Sequence, residues 1–157
     1  MMTRYLLDTN IVMRLCNCSD LQHKLATNAV SRLLMQSDKC FLATQVIIEF
    51  WVVATRPTEV NGLGWSVEQT RSMIDQLLAR FPVLAESRQI FTNWLNLVTT
   101  NRVMGKRTHD VRLVAAMLAN EMTHLLTFNP SDFAGISSIT ITHPQDLNPF
   151  DTNELWC

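Results

Sequence analysis

Residues 4–11 read RYLLDTNI, an apolar run that stops on an acid. Tyr5, Leu6 and Leu7 follow one another, and Asp8 comes at once with Thr9 and Asn10 behind it. An uninterrupted apolar run of this length fits a strand buried on both faces of a parallel sheet. The acid at its end has two readings. Asp8 or Thr9 is the N-cap of the next helix, or Asp8 belongs to a site at the strand's carboxyl end, where open α/β sheets bind ligands. The stretch alone leaves both open.

Downstream, helical patterns run at 10–17 and 20–36, the second with Ser19 or Asp20 as its cap and Leu21, Leu25, Ala29, Leu33 and Leu34 on one face. KCFLAT at 39–44 reads as a short strand, and Thr44 caps a helix that Pro57 stops after Arg56. PTEVNGLGW is a loop whose glycines lack any phosphate-binding spacing and are assigned a structural role. Helices are expected at 66–80, 87–101 and 108–121, capped by Ser66, Ser87 and Thr108. HLLTF at 124–128 is a strand, NPSDF a turn, and SITIT at 138–142 a last strand whose alternation suits a sheet edge. Strands alternating with helices give an α/β fold with a central, mostly parallel twisted sheet of four to five strands flanked by helices.

The chain has 157 residues, 47% hydrophobic and 17% charged, which is one domain's length and the composition of a folded globular protein. Arg4, Asp8 and Arg14 interrupt the N-terminal apolar stretch, and VIIEFWVVA at 46–54 is too short to span a bilayer and contains Glu49. No membrane association is expected, and the cytoplasm is the expected compartment. Cys16, Cys18, Cys40 and Cys157 form no CxxC pair, and the four histidines have no zinc spacing, so thiols without a metal are expected. A net charge of −1 gives no overall nucleic-acid signature. Locally, NRVMGKRTHDVR at 101–112 sets Arg102, Lys106, Arg107 and Arg112 against Asp110 alone, as a solvated turn or a phosphate-binding patch would.

Four acids occupy special places on this map. Asp8 ends the first strand, Glu49 sits in the first half of a helix just after the second, Asp110 opens the helix after Thr108, and Asp132 follows HLLTF. Each has an ordinary reading: Glu49 in a solvent stripe with Gln45 and Arg56, Asp110 favoured by the helix macrodipole, Asp132 a turn residue after Pro130. In a parallel sheet, however, all four places lie on one edge. Carboxylates gathered there repel and raise one another's pKa unless positive charge joins them. Oxygen donors of this kind suit Mg²⁺ or Mn²⁺, which polarises a phosphoryl oxygen and activates water. Arg102, Lys106, Arg107 and Arg112 would then serve a phosphate backbone. The combination suits metal-dependent phosphodiester hydrolysis.

LLDTNI at 6–11, TQVIIEFWVVATRP at 44–57, THDVRLVAAML at 108–118 and LLTFNPSDF at 125–133 together resemble a PIN domain, the nuclease fold of VapC-type toxins of toxin–antitoxin pairs. The resemblance covers residues 1–147 and leaves 148–157 as an unassigned tail. It implies a Mg²⁺- or Mn²⁺-dependent endonuclease acting on RNA, a small antitoxin as partner, and a homodimer. Asp8, Glu49 and Asp110 match the family's first three acids, and Thr9 or Asn10 the polar residue after the first. Asn129 stands where many members carry Asp, so Asp132 would supply the fourth carboxylate, directly or through water, with Thr127 and Asn129 as polar helpers. Met13, Leu15, Trp51, Trp65, Trp94 and eight methionines supply apolar surface for a fuller core or for an interface. An RNA-processing nuclease without an antitoxin, and a catalytically silent PIN-like domain binding RNA or protein, are the alternative functions.

Overall fold

The computed structural model describes residues 2–147, so the tail at 148–157 lies outside the described residues. Strand β1 (Arg4–Leu7) is flanked by β2 (Lys39–Phe41) and β3 (His124–Leu126), and β4 (Thr140–Thr142) lies beyond β3, giving the order β2-β1-β3-β4. All three pairings are parallel, with Leu6 opposite Phe41 on one side and Leu125 on the other. The last strand is an edge strand, as its alternation suggests. From β1 the chain crosses to one side to form β2 and returns to the other to form β3. The switch point of the sheet therefore lies between the ends of β1 and β3, where open α/β sheets form their crevice. The ladder runs one residue past the strands: Asp8 N–H donates to Leu126 O and Thr127 N–H to Thr142 O, both at 3.0 Å.

Six helices surround this sheet among the described residues: α1 (Thr9–Cys16), α2 (His23–Met35), α3 (Thr44–Thr55), α4 (Val67–Arg80), α5 (Arg88–Thr100) and α6 (Arg107–Ala119). Leu6, Leu7, Leu125 and Leu126 are wholly buried, and Ile11, Leu15, Val46, Phe50, Val114 and Met117 pack upon them from α1, α3 and α6. Helix α6 is buried nearly all round because α5 covers its outer side, and the Trp94 indole N–H pins the two by donating to Thr108 O at 2.8 Å. Leu15 belongs to the core, and Met13, Trp51, Trp65 and Trp94 pack against it. The exposed large apolar residues include three of the methionines, Met2, Met35 and Met104, together with Ile48 and Val52 on α3 and Phe91 and Leu95 on α5. Cys16 and Cys40 are buried thiols whose burial pushes their pKa up to about 12.

Several caps differ from the sequence reading. Ser66 forms a full capping box with Gln69, and Asp8 caps α1. Helix α2 begins later than expected, at His23, because Asp20 turns the chain first: its carboxylate accepts from Gln22 N–H and its carbonyl from His23 N–H. Ser87 stands at the cap position of α5 without a side-chain bond, and Ala43, not Thr44, caps α3. Thr108 lies inside α6, its hydroxyl donating to Gly105 O, and Lys106 holds the cap position.

The loop after α3 folds back on that helix: Leu63 N–H donates to Val53 O, Gly64 N–H to Arg56 O and Trp65 N–H to Ala54 O. Gly62 passes so close to the Arg56 backbone that a Cβ there would stand 1.9 Å from Arg56 O. Gly62→Ala therefore has to push the loop off the helix end, and it should lower stability by about 1–3 kcal/mol, the usual cost of overpacking. Denaturant unfolding of the two proteins measures it; an unchanged midpoint would show that the loop yields freely.

Candidate active site

The crevice at the switch point has a volume of about 430 Å³, and Asp8, Glu49, Asp110 and Asp132 all line it. They come from four separate segments: the end of β1, the second turn of α3, the first turn of α6 and the 3₁₀ turn Pro130–Phe133 after β3. Parallel register is what gathers them, since each segment follows a strand on the same edge or begins a helix above it.

Asp8 is buried, and both of its ordinary uses are present at once. Its Oδ1 accepts from Thr9 N–H at 2.8 Å, capping α1, while Oδ2 accepts from the Thr127 hydroxyl at 2.7 Å and from the Asn10 amide at 3.3 Å. Thr127 is itself wholly buried and also accepts from Asn10 Nδ2 and Asn129 N–H. Asn10 closes the ring by accepting Phe128 N–H on its Oδ1. A ring of this kind fixes the Asp8 carboxylate by tying the end of β1 to the residues that follow β3.

Glu49 is held from two sides. Its Oε2 accepts from the Thr9 hydroxyl and its Oε1 from Gln45 Nε2 at 2.8 Å. Gln45 is buried, and the same Nε2 reaches His109 O at 2.8 Å. The solvent stripe of Gln45, Glu49 and Arg56 therefore does not exist: Gln45 faces α6, and Glu49 faces the crevice. Asp110 is half-buried in the crevice, and Asp132 is exposed at its rim. Asn129 is exposed at the start of the 3₁₀ turn, and it is Asp132 that lines the crevice.

The electrostatics follow from the crowding. Burial pushes the Asp110 carboxyl up to about 6, aided by the charges of Asp132, Asp8 and Glu49 and opposed by Arg107. Burial also raises Asp8; the Thr127 and Thr9 hydrogen bonds pull it back, and Glu49 and Asp132 add to the rise. The lining acids offer oxygen donors only, and their mutual repulsion is relieved by a cation, which fits a hard divalent ion. The set is open: among the described residues no three His, Cys, Asp or Glu side chains close into a ready-made metal-binding group.

The four basic residues of 101–112 lie outside the crevice lining. Arg107 donates to Ala134 O, and Arg112 pairs with Glu86 at 3.3 Å and reaches Gln45 Oε1 at 3.5 Å, so both support the scaffold. Arg102 and Lys106 are exposed. The cation that does line the crevice is Arg14, which the sequence reading missed. Asn10, Met13, Arg14 and Asn17, at i, i+3, i+4 and i+7, form the face of α1 toward the crevice; that spacing from Asn10 was the available signal.

Solved structures, three of which follow, resemble the chain over most of its length. VapBC2 from Rickettsia felis, bound to a DNA fragment from its promoter, shares 20% identity at a TM-score of 0.68, over 90% of this chain and 98% of that one. VapBC-1 from nontypeable Haemophilus influenzae shares 22% at 0.65, over 91% and 99%. The sarcin–ricin loop cleaving toxin VapC20 from Mycobacterium tuberculosis shares 17% at 0.53, over 77% and 86%. Identities of this size speak to the fold. No protein of curated function matches the sequence. The model of the PIN domain matches residues 5–137, from within β1 to just past the Pro130–Phe133 turn, and by that match the chain belongs to the PIN-domain family.

Proposed function

We propose that this PIN domain is a Mg²⁺- or Mn²⁺-dependent endoribonuclease acting in the cytoplasm as the toxin of a toxin–antitoxin pair. The observation that carries the reading is the convergence of Asp8, Glu49, Asp110 and Asp132 on one crevice at the switch point of the sheet. The similar folds of VapBC complexes support an antitoxin as partner, and that of a toxin cleaving the sarcin–ricin loop supports RNA as substrate. Exposed i, i+4 apolar pairs, Ile48 with Val52 and Phe91 with Leu95, offer surface for a second copy. No helix of the described residues is long and apolar enough to cross a membrane.

In this reading Asp8, Glu49 and Asp110 hold the cation, and Asp132 adds its carboxylate directly or through water. The ion, when bound, polarises the phosphoryl oxygen and acidifies a water for attack. Thr9 keeps Glu49 aimed into the crevice, and Thr127 with Asn10 keeps Asp8 there. Asn129 supports Thr127 through its backbone N–H. Arg102 and Lys106, exposed beside α6, are free of the scaffold contacts that Arg107 and Arg112 make, and all four contribute to the field that draws RNA.

Incubation of the purified protein with RNA and Mn²⁺, followed by sequencing of the new ends, tests the activity. Asp110→Asn and Glu49→Gln should each lower cleavage by about 100-fold or more, as expected for a preorganised charge at the reacting centre. Asp132→Asn should cost less. Full activity in Asp110→Asn would remove the assignment.

Thermal melts test the charge cluster without any substrate. The Asp110 carboxyl is raised from 3.8 to about 6 in the fold, so its ionisation opposes folding fully above that range, progressively less as pH falls through it, and not at all well below 3.8. In EDTA at pH 7.5, Asp110→Asn should melt higher than wild type, with the gain shrinking as pH falls toward 4. Mn²⁺ should raise the wild-type melting temperature and move the variant less. An acid serving only the helix macrodipole would give the opposite sign, a variant that melts lower in EDTA.

Thr127→Val keeps the shape of the side chain and removes the hydroxyl that Asp8 Oδ2 accepts from. Loss of such a supporting bond should weaken Mn²⁺ binding about 10–100-fold. Calorimetric titration separates this from a change in stability alone, which would leave the metal affinity in place.

A further inference from the structure

Arg14 is a cation in an acid-lined crevice that pairs with none of the four clustered carboxylates. Its Nε donates to Gln22 Oε1 at 2.7 Å and lies 3.7 Å from Asp20 Oδ1, and its Nη1 donates to Asn10 O at 3.1 Å. The guanidinium carbon stands 4.6 Å from the centroid of the Phe128 ring, whose other neighbour is the His143 ring at 5.4 Å. His23 Nδ1 meets the Arg14 carbonyl and fixes the backbone beneath it. Among the described residues Nη2 takes no hydrogen bond, and the side chain is 27% exposed on the crevice wall.

A long side chain loses much rotamer freedom when it is held at several points, and a held guanidinium presents a fixed fork to an oxyanion. Asp20 is the acid that Arg14 pairs with, at 3.7 Å and longer than a charge-assisted hydrogen bond, so the guanidinium fork is not locked to that carboxylate. Arg14 follows Asp8 by six residues, which places its Cα about 9 Å along the α1 axis from the cluster, at 1.5 Å per residue. The guanidinium leans back along α1 to Asn10 O and aside to Gln22, Asp20 and Phe128 and touches none of the four carboxylates, so it stands beside the cluster and not over it, which suits the next phosphate along the strand.

We infer that Arg14 grips a backbone phosphate of single-stranded RNA next to the one cleaved, and so sets the register of the strand across the acid cluster. This rests on the reading of the crevice as an RNA-binding nuclease site. It gives α1 the positioning task that the basic segment 101–112, outside the crevice, does not perform there.

The test uses the full chain and two probes: a fluorescein-labelled single-stranded oligoribonucleotide of mixed sequence, and bis(p-nitrophenyl) phosphate, a diester with no neighbouring phosphate. Binding of the oligonucleotide is followed by anisotropy in Mg²⁺ across a salt series, in an Asp110→Asn background that prevents cleavage. Adding Arg14→Gln should weaken binding about tenfold and flatten the log–log salt slope by about 0.7, the value for one phosphate contact on a single strand. Arg14→Lys should restore most of the slope, since it keeps the charge. In the otherwise wild-type chain, Arg14→Gln should lower cleavage of the oligonucleotide about tenfold more than Mn²⁺-dependent hydrolysis of the small diester, both read well below the melting temperature, which loss of the contacts to Gln22, Asp20 and Phe128 lowers. An unaltered salt slope, or equal losses on both probes, would overturn the inference and make Arg14 a structural residue. Arg14-dependent binding by a wild-type protein that cuts no RNA would keep the phosphate contact and sink both the nuclease reading and the register relative to a cleaved phosphate. No binding of RNA by the wild type would end both.

Discussion

A carboxylate buried at the end of the central strand has to be met by donors, and the molecule is arranged around meeting it. Desolvation of an unpaired carboxylate costs several kcal/mol. Asp8 avoids this by taking Thr9 N–H from its own helix, the Thr127 hydroxyl from the far side of the switch point and the Asn10 amide between them. The Thr127 bond exists only if β1 and β3 are neighbours in register, with Leu7 opposite Leu126. The buried acid and the sheet topology therefore specify each other. The remaining unfavourable charge, visible in the raised Asp8 and Asp110 carboxyls, is retained in the crevice, where a cation would relieve it.

Support for the cluster is unevenly shared. Asp8 and Glu49 are fixed by hydrogen bonds from buried or half-buried partners. Asp132, by contrast, sits exposed on a short 3₁₀ turn and reaches the others chiefly through its charge on Asp8 and Asp110. This ordering suits a site with a rigid floor and an adjustable rim. It also explains why the position of Asn129 is not decisive here, since the turn carries its acid to the crevice three residues later.

Much of this was legible in the residues. The uninterrupted Tyr5–Leu6–Leu7 run marks a buried strand, and the alternation of strands with helices marks a parallel sheet, which together send Asp8 to the sheet's carboxyl edge; the strand order itself was not legible. Ser66 with Gln69 spells its own capping box. What was not legible depends on side chains from distant segments. Gln45 looks like half of an exposed i, i+4 pair, and only the packing of α6 against α3 turns it inward to His109 O. Arg112 reads as a phosphate-seeking cation until Glu86, 26 residues away, is placed beside it. Arg14 was missed for the converse reason: its neighbours in sequence are apolar, and its partner Phe128 comes from beyond β3.

The Gln45 amide has a mechanical consequence. One Nε2 serves Glu49 on α3 and the His109 carbonyl at the start of α6, the residue just before Asp110. Its Oε1 meets Arg112 one turn further along α6. Two acids on separate helices thus share a single hinge pin. A displacement of the first turn of α6 loads the same amide that orients Glu49, so the pair moves as a jaw with one joint. A load on the exposed first turn of α6, at Arg107 and His109, would reach Glu49 on the opposite wall of the crevice through that one amide, with no backbone linking them.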